Sequence, residues 1–273
     1  MTINCNGKLI DLSSPKVMGI LNVTPDSFYD GGKYSSDSAI LNQVEKMLKD
    51  GATFIDIGAY SSRPNAEHIS TDEELIRLIP ILDTLIKNFP DILISVDTFR
   101  SEIAKKSVEV GACMINDISG GTLDENMFKT IGELKVPYVL MHIQGSPQNM
   151  QLKPSYSNVT QDILKYFSEK VLALRLEKVN DIILDVGFGF GKTLEHNYEL
   201  LKNLLYFKTL DIPILTGVSR KSMLYKLLNT SAKEALNATS IANTIALQNG
   251  TSILRVHDVK EAMESIKIVE QVS

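Results

Sequence analysis

ILISVDTFRSEIAKKSVEVGACMIND, residues 92–117, decides the fold. An apolar run, ILISVD, closes on Asp97. A helix-length amphipathic stretch follows, and a second run, CMIND, carries Asn116 and Asp117 at its end. The same unit recurs in both directions along the chain. VMGILN ends at Asn22, TFIDIG holds Asp56, YVLMH ends at His142, IILD ends at Asp185, ILTGVS ends at Ser219 and SILRVH holds Arg255. Short apolar runs alternating with helix-length segments predict parallel strands buried on both faces. Eight such units in 273 residues predict one α/β domain over 1–273, a (β/α)₈ TIM barrel, with its chemistry at the C-terminal strand ends.

Composition narrows what those ends can do. Hydrophobic residues make up 44% of the chain, enough for a full core. Net charge is −5 with no Lys/Arg-rich block, which argues against nucleic acid as a partner. Any anion must be held by a few local groups. No apolar run is long enough to span a membrane. Cys5 and Cys113 have no metal-type spacing and form no disulfide framework, so the expected home is the cytoplasm.

Local signals fill in the rest. Asn6-Gly7 predicts a hairpin over 3–10 that plugs one end of the barrel. The stretch 24–36 is rich in Pro, Gly, Asp and Ser and reads as a long loop, as does 59–70. Ser38 is expected to cap a helix reaching about Asp50, and Thr71-Asp-Glu-Glu a second helix as a capping box. The helices at 158–179 and 259–271 follow from their periodicity.

The most distinctive motif is ILDVGFGFGKT, 183–193. A phosphate loop needs four residues between its glycines, and Gly187 to Gly191 leaves three. What remains is an acid at a strand end followed by a glycine turn carrying two phenylalanines, Phe188 and Phe190. Such a turn lets a flat ligand approach the backbone, or it is simply a tight connection. Asp97 and Asn116 join Asp185 at the predicted mouth. Each alone is as well explained by capping the next helix. Together they suit a heterocycle with a donor-rich edge, because a carboxylate accepts two parallel N–H bonds. SRKS, 219–222, falls where a helix begins, and helix N-termini bind anions. Arg220 and Lys221 add charge there and Ser222 a hydroxyl. Arg255 and His257 leave the neighbouring strand and are placed to clamp the same anion, although His257 alone would read as a cap of the last helix. Asn22 suits Mg²⁺ only if phosphates and waters supply most of the coordination. His142 reads as a packed polar residue, and His68 and His196 as solvated ones. No Ser-His-Asp order, paired catalytic Glu or other nucleophile is evident.

Taken together, MGILNVTPDSFYDGG (18–32), DIGAYSSRPNA (56–66), SVDTFR (95–100), INDISGG (115–121), MHIQGSPQNMQ (141–151), ILDVGFGFGKT (183–193), GVSRKSML (217–224) and RVHDV (255–259) resemble the dihydropteroate synthase family, the folate-pathway enzymes that sulfonamides target. The resemblance implies a transferase. It would condense 6-hydroxymethyl-7,8-dihydropterin pyrophosphate with p-aminobenzoate, through loss of pyrophosphate and then attack by the amine. It implies a pterin site of Asp97, Asn116, Asp185, Lys221 and Arg255. The p-aminobenzoate site would be Ser62, Arg63, Pro64, Phe190 and Ser222, and the catalytic residues Asp97, Asp185, Lys221, Arg255 and Arg63. Pyrophosphate would meet Asn22, Arg255 and His257, and Mg²⁺ would meet Asn22. A homodimer is implied as well. The chain departs from the common D-x-G-G-E-S-T-R-P pattern at Ala59, Tyr60 and Ser62. Two rivals share the barrel: a pterin-dependent methyltransferase of the methyltetrahydrofolate type, and a non-catalytic pterin-binding barrel. Neither has a use for an anion clamp.

Overall fold

A computed structural model describes residues 1–23, 33–60, 69–147, 149–150 and 154–272. Strands β1 (Thr2–Cys5) and β2 (Lys8–Asp11) form an antiparallel hairpin. Eight further strands close into a parallel barrel: β3 (Lys16–Asn22), β4 (Phe54–Gly58), β5 (Ile94–Asp97), β6 (Met114–Asp117), β7 (Tyr138–Met141), β8 (Ile182–Asp185), β9 (Ile214–Thr216) and β10 (Ile253–Val256). β10 pairs with both β9 and β3, placing Arg255 opposite Met18. The eight apolar runs thus become the eight barrel strands, in order.

The helices among the described residues are α1 (Lys33–Lys49), α2 (Thr71–Asn88), α3 (Ser101–Val110), α4 (Met127–Leu134), α5 (Val159–Leu176), α6 (Leu194–Lys202), α7 (Ser222–Leu227), α8 (Leu236–Gln248) and α9 (Val259–Val269). Two expected starts shift. α1 begins at Lys33, so Ser38 lies inside it and not at its N-terminus. Its first turn, KYSS, is polar enough to read as loop by composition. α2 is capped by Ser70, whose Oγ accepts the Glu73 N–H at 3.1 Å; Thr71 is the first helical residue. Adjacent hydroxyl residues made the cap ambiguous by one position.

Strand alternation divides the core into two. Val17, Ile55, Val96, Ile115, Leu140 and Leu184 face the helices. Met18, Phe54, Met114, Val139, Ile183, Leu215 and Ile253 face inward, where Ile3, Cys5, Ile10 and Leu12 of the hairpin segment complete their cluster. The hairpin turn uses Asn6 and Gly7 at φ 52° and 83°, the left-handed pair that a two-residue turn of this kind requires. The expected plug is therefore real, and it closes the N-terminal end of the barrel. Cys5 and Cys113 are free thiols buried within it. Among the described residues no helix is long and apolar enough to cross a membrane.

Candidate active site at the open end of the barrel

Two positions beyond the apolar inner layer, the same inward-facing parity turns polar. Asp56 on β4 lies above Phe54, Asn116 on β6 above Met114, Asp185 on β8 above Ile183 and Arg255 on β10 above Ile253. The strands space these groups around one mouth, and hydrogen bonds draw them together.

Asp56 is the hub. It is fully buried. Its Oδ1 accepts from Ser95 Oγ at 2.6 Å, and its Oδ2 accepts from Arg255 Nε at 2.6 Å and Asn116 Nδ2 at 3.0 Å. With its acceptors so engaged, Asp56 orients its neighbours. It fixes the Asn116 amide with Oδ1 as the acceptor that remains for a ligand. Arg255 reaches on through Nη2 to Asp97 Oδ2 at 2.9 Å. Burial opposes the Arg255 charge, but Asp56 and Asp97 outweigh it and hold its pKa above the usual value. Removing the guanidinium would strand two carboxylates in a low-dielectric pocket, a change that costs about 3–5 kcal/mol in comparable buried pairs.

The acids feel the same environment. Burial lifts the Asp97 carboxyl to about 7, against the pull of Arg255 and with a further push from Asp56. Burial also raises Asp185, although Lys221 and the Gly187 N–H, donated to Oδ1 at 2.7 Å, favour its anion. Lys221 is lowered to about 8, mainly by burial, with Asp185 opposing. Its Nζ donates to the Phe188 carbonyl and lies 4.5 Å from the centre of the Phe190 ring.

The glycine turn that carries Phe190 has no room to be anything else. A Cβ on Gly187 (φ 71°) would fall 2.0 Å from the His142 carbonyl, and one on Gly191 (φ 62°) would fall 2.6 Å from that of Gln144. Lys192, which would point at phosphate in a phosphate loop, is buried beneath this turn. Its Nζ meets His142 Nδ1 at 3.0 Å and the Phe190 carbonyl at 2.9 Å. Burial drops the His142 pKa to about 2, so its imidazole is neutral and packed, as expected.

At the β9 and β10 exits the structure separates residues that the sequence grouped. His257 is exposed at the mouth, with Nδ1 3.0 Å from Ser219 Oγ. Ser222 is half-buried at the start of α7. Arg220 does not join the anion site. Its fork is bidentate to Asp258, at 2.8 Å on each arm, and Nη1 donates to the Ala232 and Lys233 carbonyls. Its charge was countable from sequence; its partner 38 residues away was not. His196 is likewise no solvated side chain, since it forms a capping box with Thr193 and packs edge-on to Tyr156.

Asn22 ends β3, exposed, beside Gly58. Ser62, Arg63, Pro64 and His68 lie outside the described residues. The residue that sequence reasoning missed is Asp56. It stood in plain view at a strand end, but its partners are 39, 60 and 199 positions away.

A buried set of ring-edge acceptors, an aromatic platform and flanking cations suit a charged, flat heterocycle. Comparisons with known proteins agree. Residues 18–257 match the model of the pterin binding enzyme family. The dihydropteroate synthase of Haemophilus influenzae is 42% identical over 271 residues, 98% of each chain. The Yersinia pestis synthase, solved with a sulfonamide drug, superposes at a TM-score of 0.93 with 41% identity over 100% of this chain and 99% of that one. The Xanthomonas albilineans synthase, solved with 4-aminobenzoic acid, gives 0.92 and 33% over 99% and 97%. None of the three is a methyltransferase. The chain belongs to the pterin-binding enzyme family and, within it, to the dihydropteroate synthases.

Proposed function

We propose a division of labour within the dihydropteroate synthase reaction, which joins 6-hydroxymethyl-7,8-dihydropterin pyrophosphate to p-aminobenzoate and releases pyrophosphate. The observation that carries it is the set of acceptors gathered at the C-terminal strand ends: Asp97, Asn116 Oδ1 and Asp185. These accept the N–H groups of the pterin edge, while Lys221 and Arg255 pack on the ring and balance the acids. The bond from the pterin methylene carbon to oxygen breaks first, and its electron pair leaves with pyrophosphate. The ring nitrogens share the resulting positive charge, and Asp97 and Asp185 stabilise it at short range in a dry pocket. The amine of p-aminobenzoate then forms the new C–N bond and gives its extra proton to water. No protein nucleophile is needed, consistent with the sequence.

Arg255 and His257 meet the departing pyrophosphate. Among the described residues no group of three or more His, Cys, Asp or Glu could hold a metal ion. The exposed Asn22 amide is a donor that fits Mg²⁺ carried in on the diphosphate, with Asn22 as its protein ligand. When bound, Mg²⁺ would neutralise the leaving group's charge. Phe190 and Ser222, with Ser62, Arg63 and Pro64, take p-aminobenzoate, or a sulfonamide in its place. Exposed Leu205, Tyr206, Leu227, Leu228, Ile241 and Ile245, all in the later helical segments, support a homodimer. The two free buried thiols support a reducing, cytoplasmic setting.

Equilibrium dialysis with labelled p-aminobenzoate tests the order of events. The free protein should bind it weakly. Adding pyrophosphate, Mg²⁺ and a pterin should tighten binding at least about tenfold, a coupling of roughly 1.4 kcal/mol. Tight binding to the bare protein would mean a preformed pocket and would overturn the order.

A further inference from the structure

Arg100 follows Asp97 by three residues, yet the pterin site does not use it. It is only 12% exposed at the side chain and is ion-paired through Nη1 to Glu74, which is fully buried on α2. Thr98 Oγ1 donates to the other Glu74 oxygen at 2.9 Å. The remaining Arg100 contacts are with another part of the chain. Nη2 donates to the Ile69 carbonyl at 2.6 Å and Nη1 to the Ser70 carbonyl at 3.2 Å. The guanidinium carbon lies 5.5 Å from the centre of the Tyr60 ring and 5.2 Å from that of Phe99. Those rings meet edge-to-face at 5.0 Å. Both pack with Met141, Ile143 and Phe190 in one apolar cluster at the mouth.

A single buried cation thus touches Tyr60 on one side of segment 61–68 and Ile69 and Ser70 on the other. It also backs the aromatic wall that continues to Phe190. The planar fork of an arginine can serve two carbonyls and a carboxylate at once, which a lysine cannot. Glu74, held by Thr98, fixes where that fork lies.

We infer that Arg100 is a positioning residue for the p-aminobenzoate subsite. It holds the Tyr60–Phe99 wall in register with Phe190, and it touches neither substrate. The inference rests on the reading that Phe190 and Ser222 serve p-aminobenzoate. It separates the two substrates: the pterin acceptors stand on β5, β6 and β8 and have their own supports in Asp56 and the glycine turn.

The test is steady-state kinetics on Arg100→Met, with the dissociation constant of a pterin analogue measured alongside. KM for p-aminobenzoate should rise at least about tenfold, with pterin affinity changed less than about twofold. Arg100→Lys restores the Glu74 pair but not the fork, and should recover only part of the loss. Should Arg100→Met fail to fold, Glu74→Gln reads the same effect: Arg100 keeps its carbonyl contacts, and KM should rise about threefold. Phe190→Ala distinguishes the two levels. An unchanged p-aminobenzoate KM in Phe190→Ala overturns the pocket reading and this inference with it. A raised KM in Phe190→Ala beside a wild-type value in Arg100→Met overturns the positioning role alone. Equal losses for both substrates in Arg100→Met also overturn it.

Discussion

The two ends of the barrel interior are built from the same strands, two residues apart, and they do opposite things. Phe54, Met114, Ile183 and Ile253 fill the plugged end with hydrocarbon. Asp56, Asn116, Asp185 and Arg255, one pleat further along, fill the open end with charged and amide groups. About 7 Å of strand separates the layer that holds the fold from the layer proposed to hold the ligand. The lower layer is more than a support. It closes the barrel beneath the acids, and burial raises both Asp97 and Asp185.

Substitutions in each layer can break this comparison. The largest effect should come from Phe54→Ala, which opens a cavity in the floor and should lower unfolding free energy by about 3–5 kcal/mol. Denaturant titration measures this. The folded variant should keep pterin affinity within a few-fold. A variant of native stability that no longer binds pterin would show that the floor belongs to the site itself.

Next in size is Asp185→Asn, with the fold intact. It replaces a charge-assisted acceptor by an amide that turns a donor toward a donor edge, and it should cost about 2–4 kcal/mol of pterin binding. Calorimetric titration with a pterin analogue reads it. Wild-type affinity would remove Asp185 from the upper layer's function.

The smallest effect sharpens the comparison. Asp97 carries a pKa near 7 because it is buried. The folded protein therefore holds a proton that the unfolded chain has already lost between about pH 4 and 7, so this group's contribution to stability falls as pH rises through that window. Binding runs the other way, because pterin N–H groups need the carboxylate. Affinity should climb by up to about tenfold per unit below pH 7 and level off above it. Asp97→Asn should flatten that limb. A wild-type profile flat from pH 5.5 to 8 would show that burial does not hold a proton on Asp97.

The fold was legible because its signal is local. Each strand announces itself by an apolar run, and the hairpin by Asn6-Gly7. The proposed pterin acceptors could be picked out for the same reason, since Asp97, Asn116 and Asp185 each stand at the end of a run. What escaped was pairing at a distance. Nothing near Arg220 in sequence shows that Asp258 claims it, so its charge was credited to the anion site. Asp56 looked like any other strand-end residue until closure set Ser95, Asn116 and Arg255 around it. Arg100 was visible only as part of SVDTFR. Tyr60 stood out as a departure from the family pattern, and the structure gives it a place, on the face of Arg100 and against Phe99.

Closure of the barrel by β10 has a consequence for the chain while it is being made. The edge of β3, near residue 16, has no partner until residues 253–256 emerge. At ordinary synthesis rates of about 5–20 residues per second, that edge waits on the order of 12–50 seconds. It is an open invitation to mispairing throughout. Arg255 arrives on the strand that ends the wait and pairs with Asp56 and Asp97 as it docks. The nascent protein thus has no half-built pterin site to offer: sealing of the barrel and completion of the charge network are one event.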